Sequence, residues 1–476
     1  MLVPTLVFLG MVVAIVSSLG APMIPTIAAV YGVPLADAQW SLTITLLVGA
    51  LATPTMGRLG DGPHRRKVIL TSLAAITAGC VLAALPLGFH ALLVGRALQG
   101  TGMGLTPLAM AAARDALPGE KGRSTVALLS ITTIAGVGMG YPITGLIADH
   151  LGYEAAFWFG AIVSSAALAT AAIVLPRSRA SVSPRLDWIG ALLLAAALTC
   201  LLLALSRGEQ WGWTSWKTLV LFPSSFVLAA AWVAHELRTD HPLVELRLVR
   251  SAPVLAADTT AVLAGVGMYL LLATIVRFVQ TPPSAGYGFG ASVVVAGLVL
   301  LPFSLASIAS SRVAALIAKR FSPLLVLPSG CLIFVVAMLE FAIARSALVH
   351  VFIAMTIAGL GVGCTFAAMP GLVVQAVPPH ETGSAMSFNQ VLRYVGYSTG
   401  SALSATILEM HTPPGAALPD GTGYGAIAFV GCGIWIASAV VSYLVPRRGR
   451  LVALDESLAD ESIADAVPVD EEARGR

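Results

Sequence analysis

Four ionisable side chains lie inside long apolar runs of this sequence, namely Arg96, Asp258, Glu340 and Arg393. An apolar run of about 20 residues is long enough to cross a bilayer as a helix. A charged side chain inside such a helix costs about 3 kcal/mol, so a residue kept there is expected to be functional. A carboxyl group holds its proton where water is excluded and releases it when water returns. Asp258 is therefore the leading candidate for a proton carrier.

Three of these residues also have a structural interpretation that the sequence leaves open. Asp258 could form an interhelical pair, and Arg393 could anchor backbone carbonyl groups across an interface between helices. Glu340 could extend to the membrane surface or pair with Arg345, which follows it in the chain. The residue types alone fit both coupling and anchoring roles.

A polar stripe follows one face of the apolar run that contains Arg393. Asn389, Arg393 and Tyr397 are spaced by four residues and therefore share a face of a helix. Gln390 adjoins Asn389 in the same run. The predicted proton-coupling or substrate-cavity residues are Arg96, Asp258, Glu340, Asn389, Gln390 and Arg393.

The remaining reactive side chains do not form a recognisable catalytic or metal-binding set. Each of the five cysteines lies singly in an apolar run, which is typical of small buried hydrophobic residues. The eight histidines lack the spacing of metal ligands. The sequence predicts a protein that is not an enzyme and that uses no metal or cofactor.

The composition requires a membrane environment. Of the 476 residues, 57% are hydrophobic and 11% are charged, and the mean hydropathy is +0.88. Soluble domains carry about 25% charged residues. Segmentation into apolar runs of spanning length predicts an all-α membrane protein with about fourteen transmembrane helices. Basic residues concentrate in alternate connections, and Lys and Arg mark the cytoplasmic side. We expect a multi-pass protein of the plasma (inner) membrane with both termini in the cytoplasm.

Polar breaks divide the chain into four predicted regions. Residues 1–176 form a bundle of six helices, and residues 177–250 form a linker that holds two inserted transmembrane helices. Residues 251–446 form a second six-helix bundle, and residues 447–476 form an acidic, disordered cytoplasmic tail. Repeated halves of this kind favour a transporter whose site lies near the middle of the membrane.

The stretch GRLGDGPHRRK, residues 57–67, separates two apolar runs with one Asp and four Lys or Arg residues. It resembles the signature loop between the second and third helices of the major facilitator superfamily, whose pattern is G-x-L-(a)-D-x-x-G-R-(R/K). The residues in register with that pattern are Gly57, Leu59, Asp61, Arg65 and Arg66. The family's glycine after the Asp is replaced by His64 in this chain.

The resemblance implies that this loop ties the two halves together in the outward-facing state. A carboxylate at a helix end can make charge-assisted hydrogen bonds and can lie at the positive end of a neighbouring helix. Asp115 is expected to belong to the same cluster. The predicted conformational latch comprises Gly57, Asp61, Arg65, Arg66 and Asp115.

Further stretches are similar to motifs of the same superfamily. LVGRALQGTGMG (93–104) is similar to the fourth-helix motif, with Arg96 as its buried arginine. GVGMGYPITGL (136–146) is similar to the fifth-helix antiporter motif, although the proline is displaced by one position. That motif, which marks exporters, would be formed here by Gly136, Gly140, Pro142 and Gly145.

Two stretches resemble a narrower family, the fourteen-span drug–proton antiporters. Residues 186–213 resemble its seventh helix, and residues 384–403 resemble its thirteenth helix. The resemblance implies a major facilitator fold of two six-helix bundles plus two inserted helices. It also implies efflux of hydrophobic small molecules or drugs by alternating access.

The implied energy source is a proton gradient, without a cofactor. The expected partners are a small hydrophobic substrate, protons and the lipid bilayer; no nucleic acid is expected, and the protein is expected to be a monomer. One alternative is a dedicated exporter of a single endogenous metabolite or antibiotic. Another is a channel, from which stoichiometric proton exchange would distinguish an antiporter.

The first apolar run departs from the narrower family. That family usually carries an Asp a few residues before an A-L-P-T-I stretch, whereas here IVSSLGA precedes PMIPTI (22–27) and contains no acid. A dication needs surplus negative charge in a low-dielectric cavity. We therefore expect neutral, zwitterionic or weakly anionic amphiphiles to be preferred over dications.

Overall fold

The computed structural model describes residues 1–19, 23–178, 185–414, 416 and 418–466. Within these residues every regular element is a helix. The first group of helices, called the N-terminal helices below, comprises α1 (Leu2–Ser18), α2 (Ile24–Tyr31), α3 (Leu35–Ala38), α4 (Trp40–Gly60), α5 (Arg65–Ala84), α6 (Phe89–Gly100), α7 (Leu105–Ala116), α8 (Gly119–Leu151) and α9 (Tyr153–Val174).

Three helices follow and form the middle segment. They are α10 (Trp188–Trp211), α11 (Trp216–Glu236) and the short α12 (Leu246–Val249). The C-terminal helices are α13 (Ala252–Gln280), α14 (Val293–Arg320), α15 (Val326–Ile343), α16 (Leu348–Ala376), α17 (Thr382–Met410) and α18 (Gly421–Ala466).

Helix starts in the middle segment follow from local sequence. The Asp187 side chain accepts hydrogen bonds from the backbone N–H groups of Ile189 and Gly190 at 3.1 and 3.0 Å, which caps α10. Ser215 caps α11 through the N–H of Thr218 at 3.4 Å. These polar caps fix where α10 and α11 begin within a largely apolar part of the chain.

Ten of the described helices are long and apolar enough to cross a membrane, namely α4, α5, α9, α10, α11, α13, α14, α15, α16 and α18. The sequence also contains four further apolar runs of spanning length, at 4–24, 92–113, 124–147 and 384–409, and these fall on α1, on α6 and α7, on α8 and on α17. Helix α1 has 17 residues, and a 3₁₀ turn at Thr101–Gly104 separates α6 from α7. Helix α17 is rich in Gly, Ser and Thr, which lowers its hydropathy.

The helices pack in two groups with contacts between them. Among the N-terminal helices, α1 packs on α8 and α9, and α5 packs on α6 and α9. Among the C-terminal helices, α13 packs on α16, α17 and α18, and α15 packs on α16 and α18. The two groups meet where α8 contacts α14 and where α4 and α7 contact α17, and α10 contacts both α4 and α17.

The last helix extends further than the sequence predicts. Helix α18 continues to Ala466, so residues 447–466 are helical where a disordered tail is expected. This stretch is rich in Ala and Leu, which favour a helix. Residues 467–476 of the predicted tail lie outside the described residues.

Candidate functional site

The Asp61 side chain joins the N-terminal helices to the C-terminal helices. Asp61 follows the last residue of α4, and its carboxylate accepts hydrogen bonds from the backbone N–H groups of Gly383 and Ser384, at 2.6 and 2.9 Å. Both N–H groups belong to the first turn of α17, where a helix has unpaired donors and the positive end of its dipole. Asp61 is 4% exposed. Burial raises its pKa to about 7, although the two backbone hydrogen bonds lower it again in part.

Two arginines reinforce this contact between the helix groups. Arg58 Nη1 donates to both carboxylate oxygens of Glu381, at 2.6 and 2.7 Å. Arg114, on α7, donates to the Oγ1 of Thr382 and to the carbonyl oxygens of Val374 and Val377, the latter two at 2.7 and 3.0 Å. Arg114 therefore donates hydrogen bonds to carbonyl groups at the C-terminal end of α16, where the helix dipole favours a cation.

Neither arginine is among the predicted latch residues. Arg58 adjoins Gly57 and Arg114 adjoins Asp115 in the sequence. A basic residue next to a predicted latch residue is therefore the sequence feature that could have identified both arginines. We use "latch cluster" below for the residues that cross between the groups, namely Arg58, Asp61, Arg114, Glu381 and Ser384. The end of the molecule that carries this cluster is called the latch end.

Gly57 permits the close approach of α4 to α17. A Cβ atom at this position would overlap Ser387 Oγ and would lie 2.7 Å from the carbonyl oxygen of Gly383. Only glycine leaves room for a backbone contact of this kind. Gly57 therefore lets the end of α4 contact the start of α17.

The other predicted latch residues act within the N-terminal helices. Arg65 is buried and donates to the Asp115 carboxylate and, at 2.6 Å, to the carbonyl oxygen of Gly60. Arg66 donates to the carbonyl oxygen of Ala172 on α9, at 2.5 Å. Arg65 and Asp115 thus brace the turn that presents Asp61, while the contact with the C-terminal helices is made by Asp61 itself.

Asp258, Asn389 and Arg393 come together on α13 and α17. Asn389 Nδ2 donates to Asp258 Oδ1 at 2.8 Å, and Arg393 lies close enough for its charge to act on Asp258. Arg393 Nη1 also donates to Ser130 Oγ at 3.1 Å. Since Ser130 belongs to α8, Arg393 links the C-terminal helices to the N-terminal helices. All four side chains are at most 4% exposed.

Two apolar groups complete the surroundings of Arg393. Its guanidinium carbon lies 4.4 Å from the ring centroid of Phe366, a cation–π distance that favours a desolvated cation. Arg393 Nη2 lies 3.8 Å from Met369 Sδ. Gln390, which is also buried, precedes Tyr394 by one helical turn on α17.

The other two predicted ionisable residues lie elsewhere. Arg96 is fully buried among the N-terminal helices, where it donates to the carbonyl oxygens of Ser41 and Val16 at 3.0 and 3.3 Å and to Gln99 Oε1 at 2.5 Å. Glu340 Oε1 lies 3.3 Å from His350 Nδ1 and is partly exposed. Arg96 thus ties α6 to α1 and α4.

The predicted antiporter motif lies on α8 and faces two helices. A Cβ atom at Gly136 would overlap Ala14, and one at Gly140 would overlap Ser18, so both glycines let α8 approach α1 closely. Pro142 faces Gly297 of α14, with 3.6 Å between the proline Cα and a Cβ built on that glycine. Gly145 is partly buried one turn further along α8.

A cavity of about 300 Å³ lies between α4, α10, α13 and α17. Leu42, Leu46 and Leu202 give it an apolar wall, and Tyr394 and Tyr397 supply aromatic rings from α17. The lining described for this cavity includes Arg277 and no carboxylate. Among the described side chains, no three of His, Cys, Asp or Glu come together as metal ligands would.

Comparison with known proteins agrees with this architecture. The model of the Major Facilitator Superfamily matches residues 6–401. The multidrug resistance protein B homolog of Mycobacterium tuberculosis is 30% identical over 397 residues, which cover 80% of this chain and 71% of that protein. The tetracenomycin C resistance and export protein of Streptomyces glaucescens is 28% identical over 414 residues, which cover 86% of this chain and 76% of that protein.

A solved structure shares the fold. The crystal structure of the human organic anion transporter MFSD10 (TETRAN) superposes with a TM-score of 0.62 at 16% identity, covering 93% of this chain and 99% of that chain. The predicted absence of enzyme activity agrees with relatives that are transporters. The chain is a multi-pass membrane protein that belongs to the major facilitator superfamily.

Proposed function

We propose that this protein is a proton-coupled antiporter that exports hydrophobic small molecules by alternating access. Two relatives are named for multidrug resistance and for antibiotic export. The protein would span the inner membrane fourteen times as a monomer, with the latch end and both termini in the cytoplasm. Helices α10 and α11 would be the inserted pair that distinguishes the fourteen-span drug–proton antiporters.

The observation that carries the proposal is the placement of Asp258 beside Arg393. Asp258 is a buried carboxyl group bonded to Asn389 on α17, and Arg393 on the same helix bonds Ser130 in the opposite group of helices. A change of charge on Asp258 therefore acts on a side chain that holds the two groups together. Such an arrangement converts proton binding into a bias on the relative position of the groups.

The cycle follows from these contacts. A proton from outside neutralises Asp258, and Arg393 then relies on Ser130 and on the ring of Phe366 to compensate its charge. When the latch cluster opens, water reaches Asp258 and the proton leaves to the cytoplasm. Once Asp258 is ionised again, its carboxylate attracts Arg393. The substrate moves outward in the same cycle, through the cavity lined by Tyr394 and Tyr397.

The test measures drug efflux from proteoliposomes under an imposed pH gradient, with tetracenomycin C and then a panel of neutral amphiphiles as probes. Asp258→Asn should lower gradient-driven efflux at least tenfold while counterflow of the same probe continues. Glu409→Gln, at the exposed opposite end of α17, is the matched control and should resemble the wild type. Undiminished gradient-driven efflux by Asp258→Asn would remove this residue from the coupling mechanism.

A dedicated exporter of one endogenous metabolite or antibiotic is the alternative. It is favoured by the relative that is named for export of a single compound, tetracenomycin C. Resistance profiling of cells with and without the protein against a compound panel, beside analysis of the secreted metabolites, separates the two. A single secreted compound with no broadened resistance would support the dedicated exporter.

A further inference from the structure

A narrow crevice runs from the latch end of the molecule to Asp258. It lies between α12, the start of α13 and the start of α17, and its volume is about 10 Å³, enough for about one water molecule. Four of its lining residues are polar, namely Glu245, Asp258, Glu381 and Ser384, and the others are apolar. The crevice thus brings the buried carboxyl group of Asp258 together with a latch carboxylate.

Ser384 lies between the latch and the crevice. Its hydroxyl group donates to Glu381 Oε2 at 3.0 Å, and its backbone N–H donates to Asp61 Oδ2 at 2.9 Å. Asp258 Oδ1 accepts from Asn389, and Asp258 lines the same crevice as Ser384 and Glu381. The crevice therefore holds the Asp258 carboxyl group together with a hydroxyl group that is bonded to a second carboxylate.

We propose that Glu381 is the proton acceptor through which Asp258 releases its proton to the cytoplasm, with Ser384 and one water molecule as the bridge. The inference rests on the proposed proton coupling at Asp258 and names the next residue on the path. In the transfer, the O–H bond on Asp258 breaks and an O–H bond forms on Glu381. Glu381 then loses that proton to water at the latch end.

The latch cluster controls when this acceptor is available. With the latch closed, Arg58 binds both carboxylate oxygens of Glu381 and so occupies the atoms that would receive the proton. When the helix groups separate at this end, Arg58 leaves with α4 and Glu381 remains on the C-terminal side. Proton release is thereby confined to the state in which the latch is open.

The other charged groups near the crevice do not compete for this role. Glu245 caps the short α12 through the N–H of Arg247 and lies 3.8 Å from the Arg247 guanidinium. Arg393 lies beyond Asp258 and carries no acceptor. Asp61 uses both oxygens to accept from the backbone of α17. Glu381 is thus the carboxylate of the crevice that opening the latch sets free.

The middle segment closes the side of the crevice. Trp232 of α11 packs on Phe388 of α17, with ring centroids 5.8 Å apart, and Phe388 also lines the crevice. Trp232 is held in place by Glu236, which accepts from its Nε1 at 2.8 Å. This apolar wall leaves the polar residues of α17 as the route for a proton.

The test follows deprotonation of Asp258 without a substrate. Full-length protein in nanodiscs is taken through a rapid rise in pH, and the decay of the carboxyl C=O infrared band that Asp258→Asn removes is recorded. Glu381→Gln should slow this decay at least tenfold, Ser384→Ala should slow it severalfold, and Glu381→Asp should restore it to within about threefold of wild type.

Arg58→Gln is the matched control, because it breaks the same ion pair but keeps the Glu381 carboxylate. It should deprotonate Asp258 as fast as wild type or faster. Equal slowing by Arg58→Gln and Glu381→Gln would assign Glu381 a structural role only, and wild-type decay in Glu381→Gln would place the proton path elsewhere. If Asp258→Asn removes no carboxyl C=O band that changes with pH, the result contradicts the proposed proton coupling at Asp258 and not the assignment of Glu381.

Discussion

The Asp61 carboxylate accepts a 2.6 Å hydrogen bond from the backbone N–H of Gly383, 322 positions away in the chain. One group of helices thus supplies the cap for a helix of the other group, and an ordinary capping interaction becomes a contact between the two groups. Net of desolvation, a hydrogen bond contributes about 0.5–1.5 kcal/mol, so the bonds to Gly383 and Ser384 together correspond to roughly a tenfold bias in a two-state equilibrium. A bias of this size favours the closed latch and would still be reversible in the proposed transport cycle.

Replacing Asp61 by Asn should lower transport about tenfold or more while membrane insertion remains normal. The Asn side chain keeps the shape of the carboxylate, but its amide nitrogen has no lone pair to accept from Ser384 N–H. Leaving that buried donor unpaired costs about 1–3 kcal/mol. Efflux from proteoliposomes is the measurement, and Lys67→Gln, an exposed residue of α5, is the control. Wild-type export by Asp61→Asn would refute the latch interpretation.

The latch should open more readily as the pH rises. Burial in the closed latch raises the pKa of Asp61 to about 7, and exposure to water returns this pKa toward its ordinary value of 3.8. The closed state therefore binds more protons than the open state. Its proton-linked stabilisation is complete below about pH 4 and is lost as the pH rises through about 7.

The expected size of this effect is about a tenfold change in the ratio of closed to open latch between pH 6 and pH 8. Spin labels at positions 67 and 380, exposed residues on the two sides of the latch, would report the distance distribution in a cysteine-free background. The longer distance should gain population at pH 8. Asp61→Asn should abolish the pH dependence, and an unchanged response in that variant would assign it to another group.

Gly57→Ala should force the latch apart. The added Cβ would overlap Ser387 Oγ and lie 2.7 Å from the carbonyl oxygen of Gly383, and overpacking of this kind costs about 1–3 kcal/mol. The same spin-label pair should shift to longer distances, and transport should fall about tenfold. Gly371→Ala is the control, because a Cβ at that position of α16 meets no atom within 4 Å. Equal behaviour of the two variants would contradict the close-approach argument.

The sequence predicts the parts of the latch that are local and misses the parts that are not. Gly57, Asp61 and Arg65 fall in a short motif whose spacing can be recognised, and helix periodicity puts Asn389 and Arg393 on one face. The ion pair between Arg58 and Glu381 joins residues 323 positions apart. No periodicity relates such positions, so the pairing emerges only when the two groups of helices pack.

The same limit applies within the membrane. Arg96 and Arg393 look alike in the sequence, because each is a single arginine in an apolar run. In the structure Arg96 bonds carbonyl groups of its own group of helices, whereas Arg393 bonds Ser130 of the other group. Composition and spacing identify a costly buried charge, but the identity of its partner depends on tertiary packing.

The cavity between α4, α10, α13 and α17 should favour neutral or weakly anionic amphiphiles. Its described lining combines Leu, Ser and Tyr side chains with Arg277, which lies at the exposed end of α13, and includes no carboxylate. A dication in this cavity would lose its hydration without gaining a counter-charge, at a cost of several kcal/mol. A weak anion would instead gain the attraction of the Arg277 guanidinium.

Competition assays with one aromatic scaffold that carries a hydroxyl group, a carboxylate or two quaternary ammonium groups measure this preference. We expect the dicationic compound to compete at least tenfold less well than the neutral one, since 1.4 kcal/mol corresponds to a factor of ten. Arg277→Gln should remove the advantage of the carboxylate and leave the neutral compound unaffected. Ser401→Asp, which adds a carboxylate to the lining, should improve competition by the dication. Tighter, transported binding of the dication by the wild type would show that negative charge reaches the substrate from outside this cavity.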